Sequence, residues 1–333
     1  MATLNSFLNL ADLYRRQDGK QKIARIIEIL SETNPILADA PAIECNDGSS
    51  HLTTMRSTLP GVSWRILNKG VAETKSATTQ VRDTTGIIEA HSRVDEHLVD
   101  ISNDPGAFRA SEAQAFLEAM AQEHATALFY HNTNTDPERI LGLAPRFGAL
   151  TGEDNSNQII SASGAQSDNT SIWFIVWGPQ TCHLIYPAGT TAGMKHTNHG
   201  LQRVEDSDNN PYYAFCDQYV WHTGISVRDW RYIVRICNID VSDLTVGATA
   251  GANLIDLMVQ AYYQLQQRKT PQGMGVIYCN TTIKRFLHHH AMKANSNTQL
   301  SIRETVDGMP VVMFLDFPIH EVDAITDAEA TVT

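Results

Sequence analysis

The sequence has few cysteines, no long apolar run and no excess of basic residues, and each shortage excludes a class of protein. Its 333 residues include five widely separated cysteines and no Cys-x-x-Cys pair. Such an odd, scattered set is typical of a reducing compartment and not of a disulfide framework. No stretch has the ~20 apolar residues of a membrane-spanning helix, and the N-terminal MATLNSFLNLADLYRR lacks the apolar core of a secretory signal. We therefore expect neither a membrane segment nor export.

Acidic residues outnumber basic residues by 37 to 25, which gives a net charge of −12 at pH 7. A protein that grips nucleic acid through its phosphates carries a basic stripe or tail, and this sequence has neither. Apolar residues make up 42 % of the chain and charged residues 19 %, so a substantial core can form. The length is sufficient for two or more packed units.

The common motifs of catalytic and nucleotide-binding loops are missing too. There is no G-x-S-x-G elbow, P-loop or G-x-G-x-x-G fingerprint. The run His288–His290 cannot converge on one ion, because adjacent helical residues point about 100° apart. A metal-dependent hydrolase that uses His183, His196 and His199 remains an alternative, although the sequence places no cysteine or carboxylate ligand beside the last two. The favoured interpretation has no catalytic, cofactor-binding or metal-binding residue.

Helical and β periodicities occur in separate runs, which predicts an α+β fold. Helices are predicted over residues 20–32, 111–132 and 254–268, and from about Thr281. Strands are predicted over residues 171–178, 181–187, 211–224, 225–240, 275–280, 300–305 and 309–317, and residues 33–60 are predicted to be irregular. The helix over 111–132 carries a capping box at Ser111 and Gln114 and would be ~30 Å long. It is the longest rigid element in the sequence.

Residues 61–95, GVSWRILNKGVAETKSATTQVRDTTGIIEAHSRVD, are interpreted as one long β-hairpin. Its predicted parts are a strand over 62–67, a turn region over 68–76 and a return strand over 77–94. From residue 68 to 86 only Val71 and Val81 are apolar and larger than alanine. A two-stranded ribbon without a hydrophobic face is marginal in water, so we interpret it as an arm that buries its surface on a neighbouring copy. The alternatives are a surface hairpin within one domain and two separate short strands.

The residues expected to contact a neighbouring copy are mixed in charge and lie mostly in this hairpin. They are Trp64, Arg65, Lys69, Glu73, Lys75, Arg82, Asp83, Ile87 and Ile88, with Trp64 and the two isoleucines placed at the base of the arm. Arg231 and Arg235 alternate with apolar residues over 230–236 and are expected to form ion pairs within or between subunits.

Several long segments of the sequence resemble those of a known protein family. SDNTSIWFIVWG, SVRDWRYIVRICNIDVSDL, SEAQAFLEAM and MPVVMFLDFPIHEVDAI are similar to the major capsid proteins of tailed bacteriophages. These segments are most similar to the branch of the family found in short-tailed phages, and a phage of Bordetella is the suggested source. The resemblance covers essentially the whole chain and implies the Hong Kong 97-like fold.

The resemblance also implies how the chain is divided. Residues 1–60 would be an N-terminal arm, 61–98 the E-loop hairpin, 99–245 mainly a peripheral domain with the spine helix 111–132, and 246–333 mainly an axial domain. The strands at 227–240 precede the axial segment, whereas the family's usual order places such strands near the C-terminus. We therefore expect the order of elements to be permuted.

The function implied by the resemblance is structural and not enzymatic. The protein would self-assemble through hexameric and pentameric capsomers into an icosahedral shell that encloses phage double-stranded DNA. It would be a virion protein assembled in the host cytoplasm, with scaffolding, portal and cement or decoration proteins as partners and no membrane contact. The acidic balance agrees with weak, non-specific contact to packaged DNA, because a basic lining would bind it tightly. A tail or decoration protein is the alternative within phage structural proteins.

Overall fold

A computed structural model describes residues 32–102, 104–244, 253–266, 273–292, 300–304 and 310–333. The described helices are α1 (Ile36–Asp39), α2 (Glu96–Ile101), α3 (Pro105–Tyr130), α4 (Leu143–Arg146), α5 (Leu254–Gln264) and α6 (Thr281–Met292). The described strands are β1 (Ala42–Glu44), β2 (Ser50–Thr58), β3 (Ala77–Thr84), β4 (Gly86–Asp95), β5 (Ile159–Ser161), β6 (Asn169–Trp177), β7 (Cys182–Tyr186), β8 (Met194–Glu205), β9 (Pro211–Val227), β10 (Ile233–Asp240), β11 (Met274–Cys279), β12 (Leu300–Glu304), β13 (Pro310–Phe314) and β14 (Phe317–Glu321). Residues 1–31 of the predicted N-terminal arm, which hold most of the first predicted helix, lie outside the described residues.

Strand β6 is buried along its whole length and organises the core. It pairs antiparallel with β10 on one side and antiparallel with β11 on the other, and β11 continues the sheet through parallel pairing with β14. Its sequence NTSIWFIVW ends in an apolar run instead of alternating with polar residues. Such a run is expected of a strand that is covered on both faces.

The two faces of β6 belong to two separate apolar clusters. Trp173 and Trp177 pack in a cluster with α1, the end of α3, and α4. Phe174 packs in the other cluster, with α5, α6 and the strands near the C-terminus. Successive residues of a strand point to opposite faces, so one apolar segment contributes to both halves of the core. None of the described helices is both long and apolar enough to cross a membrane.

Helix α3 begins six residues before the predicted start at Ser111. Asp104 is its N-cap, since a side-chain oxygen of Asp104 accepts a hydrogen bond from the Ala107 amide at 3.0 Å, and Pro105 occupies the first helical turn. Proline suits that position because its missing N–H would be unpaired there in any case. The Ser111 hydroxyl instead donates to the Phe108 carbonyl at 2.8 Å, inside the helix. The predicted capping box is therefore wrong, and the helix is about 39 Å long.

Four strands were not predicted, and one of them is the short strand β5. Strands β1 and β2 lie where irregular chain was expected, and β1 pairs in parallel with β7. Strand β8 pairs with β9 along its length, but few of its residues are apolar, so it carries no alternating signal. The predicted strand over 309–317 is divided into β13 and β14 by a tight turn in which Leu315 has a φ of 54°.

A buried ion pair ties distant segments of the chain together. Arg235 is 3 % exposed, and its Nη2 lies 2.9 Å from Oε2 of Glu329. The Ser171 hydroxyl donates to the same carboxylate, and the Tyr130 hydroxyl donates to its Oε1 at 2.6 Å. Burial raises the pKa of the Tyr130 phenol, and the neighbouring carboxylate raises it further. Of the two alternatives predicted for Arg235, the ion pair is the one within the subunit, and a contact with a neighbouring copy is corrected, because its strand is covered on both faces.

Replacing Glu329 with alanine leaves the guanidinium of Arg235 buried without its partner. Breaking one side of a buried pair costs about 3–5 kcal/mol, and we expect a loss of that size in the free energy of unfolding. Urea unfolding of the unassembled subunit measures it.

The matched control is Glu321→Ala, which removes the partner of Lys284 at a partly exposed pair with a separation of 3.1 Å. A pair near the surface contributes about 0–1 kcal/mol, so this variant is expected to lose little stability. Equal losses in the two variants would contradict a structural role for the buried pair.

Candidate assembly surface

Strands β2 and β3 form an antiparallel hairpin that we call the arm, residues 50–84. The pairing runs from Ser50 opposite Thr84 to Thr58 opposite Ala77. Nine residues of strand span roughly 30 Å. The predicted first strand over 62–67 is wrong, because residues 59–76 form an irregular loop at the end of the hairpin. We call this loop the tip.

The tip exposes several large apolar side chains that are close together in the sequence. Trp64 is 102 % exposed, and four neighbours are at least 67 % exposed, namely Leu59, Val62, Ile66 and Leu67. The predicted contact residues Arg65, Lys69, Glu73 and Lys75 lie in the same loop and are also exposed. Contiguous apolar patches on a folded surface are uncommon and mark interaction sites. The expectation of a ribbon without a hydrophobic face therefore fails at the tip, where the apolar residues are concentrated.

The tip has a defined shape of its own. The Thr74 hydroxyl donates to the Gly61 carbonyl at 2.8 Å, which joins the two sides of the loop near its start and its end. The Arg65 Nε donates to the Lys69 carbonyl at 3.0 Å, around a turn in which Asn68 has a φ of 64°. Asparagine tolerates this left-handed conformation better than most residues. The apolar side chains are thus presented by a closed loop.

Two of the predicted contact residues instead form ion pairs at the foot of the arm, which is the end of the hairpin where Ser50 is opposite Thr84. Arg82 lies 2.6 Å from the carboxylate of Asp47, and Asp83 lies 2.7 Å from the guanidinium of Arg146. Asp83 is only 3 % exposed. Its predicted contact with a neighbouring copy is corrected, since a buried carboxylate needs its partner within the same subunit. These pairs fix the direction in which the arm leaves the body.

Ile87 and Ile88 lie beyond the arm, on β4. That strand pairs with β9, where Ile87 is opposite His222 and Ile88 is opposite Trp221. They are therefore not packed with Trp64 as expected, because Trp64 lies at the far end of the arm. Ile87 is nevertheless 60 % exposed, so it remains available at the surface of the body.

Two buried imidazoles lie between the foot of the arm and the body. The rings of His51 on β2 and His183 on β7 meet edge to face, with 5.3 Å between their centroids. Burial, together with the neighbouring His51 and Arg228, lowers the pKa of His183 to about 4. Burial also lowers the pKa of His51. Both rings are therefore neutral at pH 7 and pack as apolar groups.

The histidines of the hydrolase alternative are not brought together. His183 is opposite Ser226 on β9, whereas His196 is opposite Tyr219, seven positions away. That separation is about 23 Å along a strand. His196 instead lies 2.9 Å from the carboxylate of Asp217. Over the described part of the chain, no three histidine, cysteine, aspartate or glutamate side chains are grouped so that they could hold a metal ion.

Comparison with known proteins decides between the interpretations. Residues 18–333 match the family described as Major capsid protein GP7. The chain belongs to this capsid protein family. A chain in the near-atomic structure of bacteriophage Epsilon15 is 41 % identical, with a TM-score of 0.78 over 100 % of this chain and 99 % of that chain. The Bacteriophage JBD30 capsid, 9 % identical, shares the fold with a TM-score of 0.50 over 89 % of this chain and 92 % of that chain. No curated protein matches the sequence.

The protein is thus a phage capsid protein with the Hong Kong 97-like fold, a structural component of an icosahedral shell, as the resemblance implied. The family is one of structural proteins. The source in a Bordetella phage, the domain limits and the permuted order of elements stay predictions.

The histidine beneath the arm makes the stability of the capsid protein depend on pH. The pKa of His183 is about 4 in the folded chain, against 6.5 for an ordinary histidine. Between these values the unfolded chain binds more protons, so the free energy of unfolding falls as the pH is lowered from 6.5 to 4. Each such histidine contributes a slope of up to about 1.4 kcal/mol per pH unit.

We expect His183→Leu to flatten this slope in urea unfolding of the unassembled subunit. Part of the slope remains in the variant, because burial also lowers the pKa of His124 to about 4. His199→Leu is the control, since it removes an exposed histidine. A slope that is the same in His183→Leu and in the unaltered protein would contradict the neutral, buried state of His183.

Proposed function

We propose that the arm is the principal contact between copies of this capsid protein and that it buries its tip on a neighbour. The observation that carries the proposal is the complete exposure of Trp64 within a group of exposed apolar side chains. An arm of roughly 30 Å carries this group away from the body of its own subunit. A chain that leaves such residues in water needs a second surface to cover them.

The magnitudes favour apolar docking over ion pairing. Full burial of a large apolar side chain contributes about 1.5–3 kcal/mol, and the tip presents five of them. An exposed ion pair contributes about 0–1 kcal/mol. Arg65, Lys69, Glu73 and Lys75 therefore orient the contact and tune its specificity. Arg231, whose guanidinium lies 2.6 Å from Asp229 at a half-exposed site, stays a predicted contact of the same secondary kind.

The assembly that we propose consists of hexameric and pentameric capsomers in a shell around double-stranded DNA, formed in the host cytoplasm. The net charge of −12 supports a container that touches DNA weakly and without sequence preference. Scaffolding, portal and cement or decoration proteins are the proposed partners, on the strength of the family. We further propose that the protein has no catalytic activity, since its role is to supply surface and not chemistry.

Trp64→Ala tests the role of the tip. The subunit is expected to keep its stability, because an exposed side chain contributes little to folding. The lowest protein concentration that assembles, followed by light scattering, is expected to rise at least tenfold, which corresponds to about 1.4 kcal/mol per contact. Salt at 1 M screens exposed charges within about 3 Å and would therefore weaken a contact made of ion pairs. Because we propose an apolar contact, assembly of the unaltered protein should depend only weakly on salt.

The control is Tyr213→Ala, which removes an exposed aromatic side chain outside the arm. This variant is expected to assemble at the same concentration as the unaltered protein. If Trp64→Ala leaves the assembly concentration unchanged, the arm is not the principal contact. If assembly instead disappears in 1 M salt, ion pairs dominate the contact.

A further inference from the structure

A pocket of about 310 Å³ opens between α6 and the end of β14. Five of its lining residues are on α6 and the sixth is on β14, namely Thr281, Lys284, Arg285, His288, His289 and Glu321. The five on α6 are spaced i, i+3, i+4, i+7 and i+8, which places them along one side of a helix. The histidine run, whose adjacent residues diverge, thus contributes two rings to one shared surface.

The opposite side of α6 is anchored in the core. Ile283 and Leu287 are fully buried and belong to the apolar cluster that contains Phe174. The Ile283 amide donates to Oδ1 of Asn280 at 2.9 Å, which caps the start of the helix. Binding groups on such a rigid element are held more precisely than groups on a loop. The buried side of α6 therefore fixes the direction in which its basic side faces.

Glu321 forms the wall of the pocket opposite the helix. Its Oε1 accepts a hydrogen bond from the Thr281 hydroxyl at 2.6 Å, and its Oε2 lies 3.1 Å from Nζ of Lys284. These two contacts hold the pKa of the Glu321 carboxyl below its usual value, so the carboxylate offsets the charge of Lys284. Asp323 lies 3.3 Å from the same Thr281 hydroxyl. The acidic groups are thus found at the Thr281 end of the pocket.

The other end of the pocket carries basic groups that are not used within the subunit. Arg285 and His289 are exposed and His288 is partly exposed. Among the residues that the structure describes, none forms a hydrogen bond or an ion pair with these three side chains. With the histidines neutral, the lining has two basic side chains and one acidic side chain, a net charge of +1 in a chain of net charge −12. A cleft of one sign concentrates ions of the opposite sign.

We propose that this pocket binds phosphate groups, with Arg285 as the main donor and with His288 and His289 completing the contact. A guanidinium presents N–H donors in a planar fork that matches the oxygens of a phosphate. An imidazole offers an N–H donor in either protonation state. The phosphate can belong to DNA or to a free multivalent anion such as pyrophosphate, since both present the same oxygens. The site is separate from the arm.

Titration calorimetry of the unassembled subunit at pH 7 and constant ionic strength tests the assignment with two probes, sodium pyrophosphate and a short DNA duplex. Arg285→Gln is expected to lower the affinity for pyrophosphate at least tenfold, because a hydrogen bond to a charged group is lost. Arg203→Gln is the matched control, since it removes the same charge from an exposed position on β8. The control is expected to bind as the unaltered protein does.

The two probes identify the source of the phosphate. A tenfold loss for the duplex in Arg285→Gln, without a loss in Arg203→Gln, shows that DNA enters the pocket. A loss confined to pyrophosphate shows that the pocket selects a free anion. If neither probe distinguishes Arg285→Gln from Arg203→Gln, the phosphate site is overturned. Both variants leave the tip unaltered, so that result does not bear on the proposed role of the arm.

A second variant tests the histidines without a change of a permanent charge. Replacing His288 and His289 together by glutamine is expected to weaken the binding of the same probe by a smaller factor than Arg285→Gln. His199→Gln is the control, because it removes an exposed histidine outside the pocket. An affinity equal to that of the control would overturn the part assigned to the two histidines.

Discussion

The burial of β6 on both faces is the constraint on which the rest of the subunit depends. Its tryptophans need cover on one side and Phe174 needs cover on the other. Removal of apolar surface from water is the main favourable term in folding, so the long helix α3 is held against one face while α5 and α6 are held against the other. The strands that surround β6 then decide where the arm can leave. The foot of the arm packs on β7 through the two histidines.

The arm differs from the body of the subunit in where its large apolar side chains lie. Most large apolar residues in the described part of the body are buried, whereas those of the tip are in water. A net charge of −12 keeps separate copies apart at a distance, but this repulsion is screened within about 8–10 Å at physiological salt. Apolar contact acts at shorter range than that. Association is therefore favoured only when a tip meets a surface that fits it.

Charged residues serve two different purposes in this chain. Asp83 and Arg235 are buried, each with an opposite charge within 3 Å, and they orient strands that come from distant parts of the sequence. The charges of the tip are exposed and remain available to a neighbour. A buried charge without a partner is costly, which is why the first group is committed to the interior of the subunit. Both groups look alike in the sequence.

The sequence by itself determined the α+β class, the buried strand β6, the helices α5 and α6, and the presence of a long polar ribbon near the N-terminal third. These features follow from local composition and periodicity, which a single segment carries. The family resemblance supplied the Hong Kong 97-like fold. Only the tertiary structure decided that β2 and not residues 62–67 is the partner of β3, because a hairpin's register depends on hydrogen bonds between segments about twenty residues apart. It also decided that Arg235 is buried, since burial depends on what packs from elsewhere in the chain.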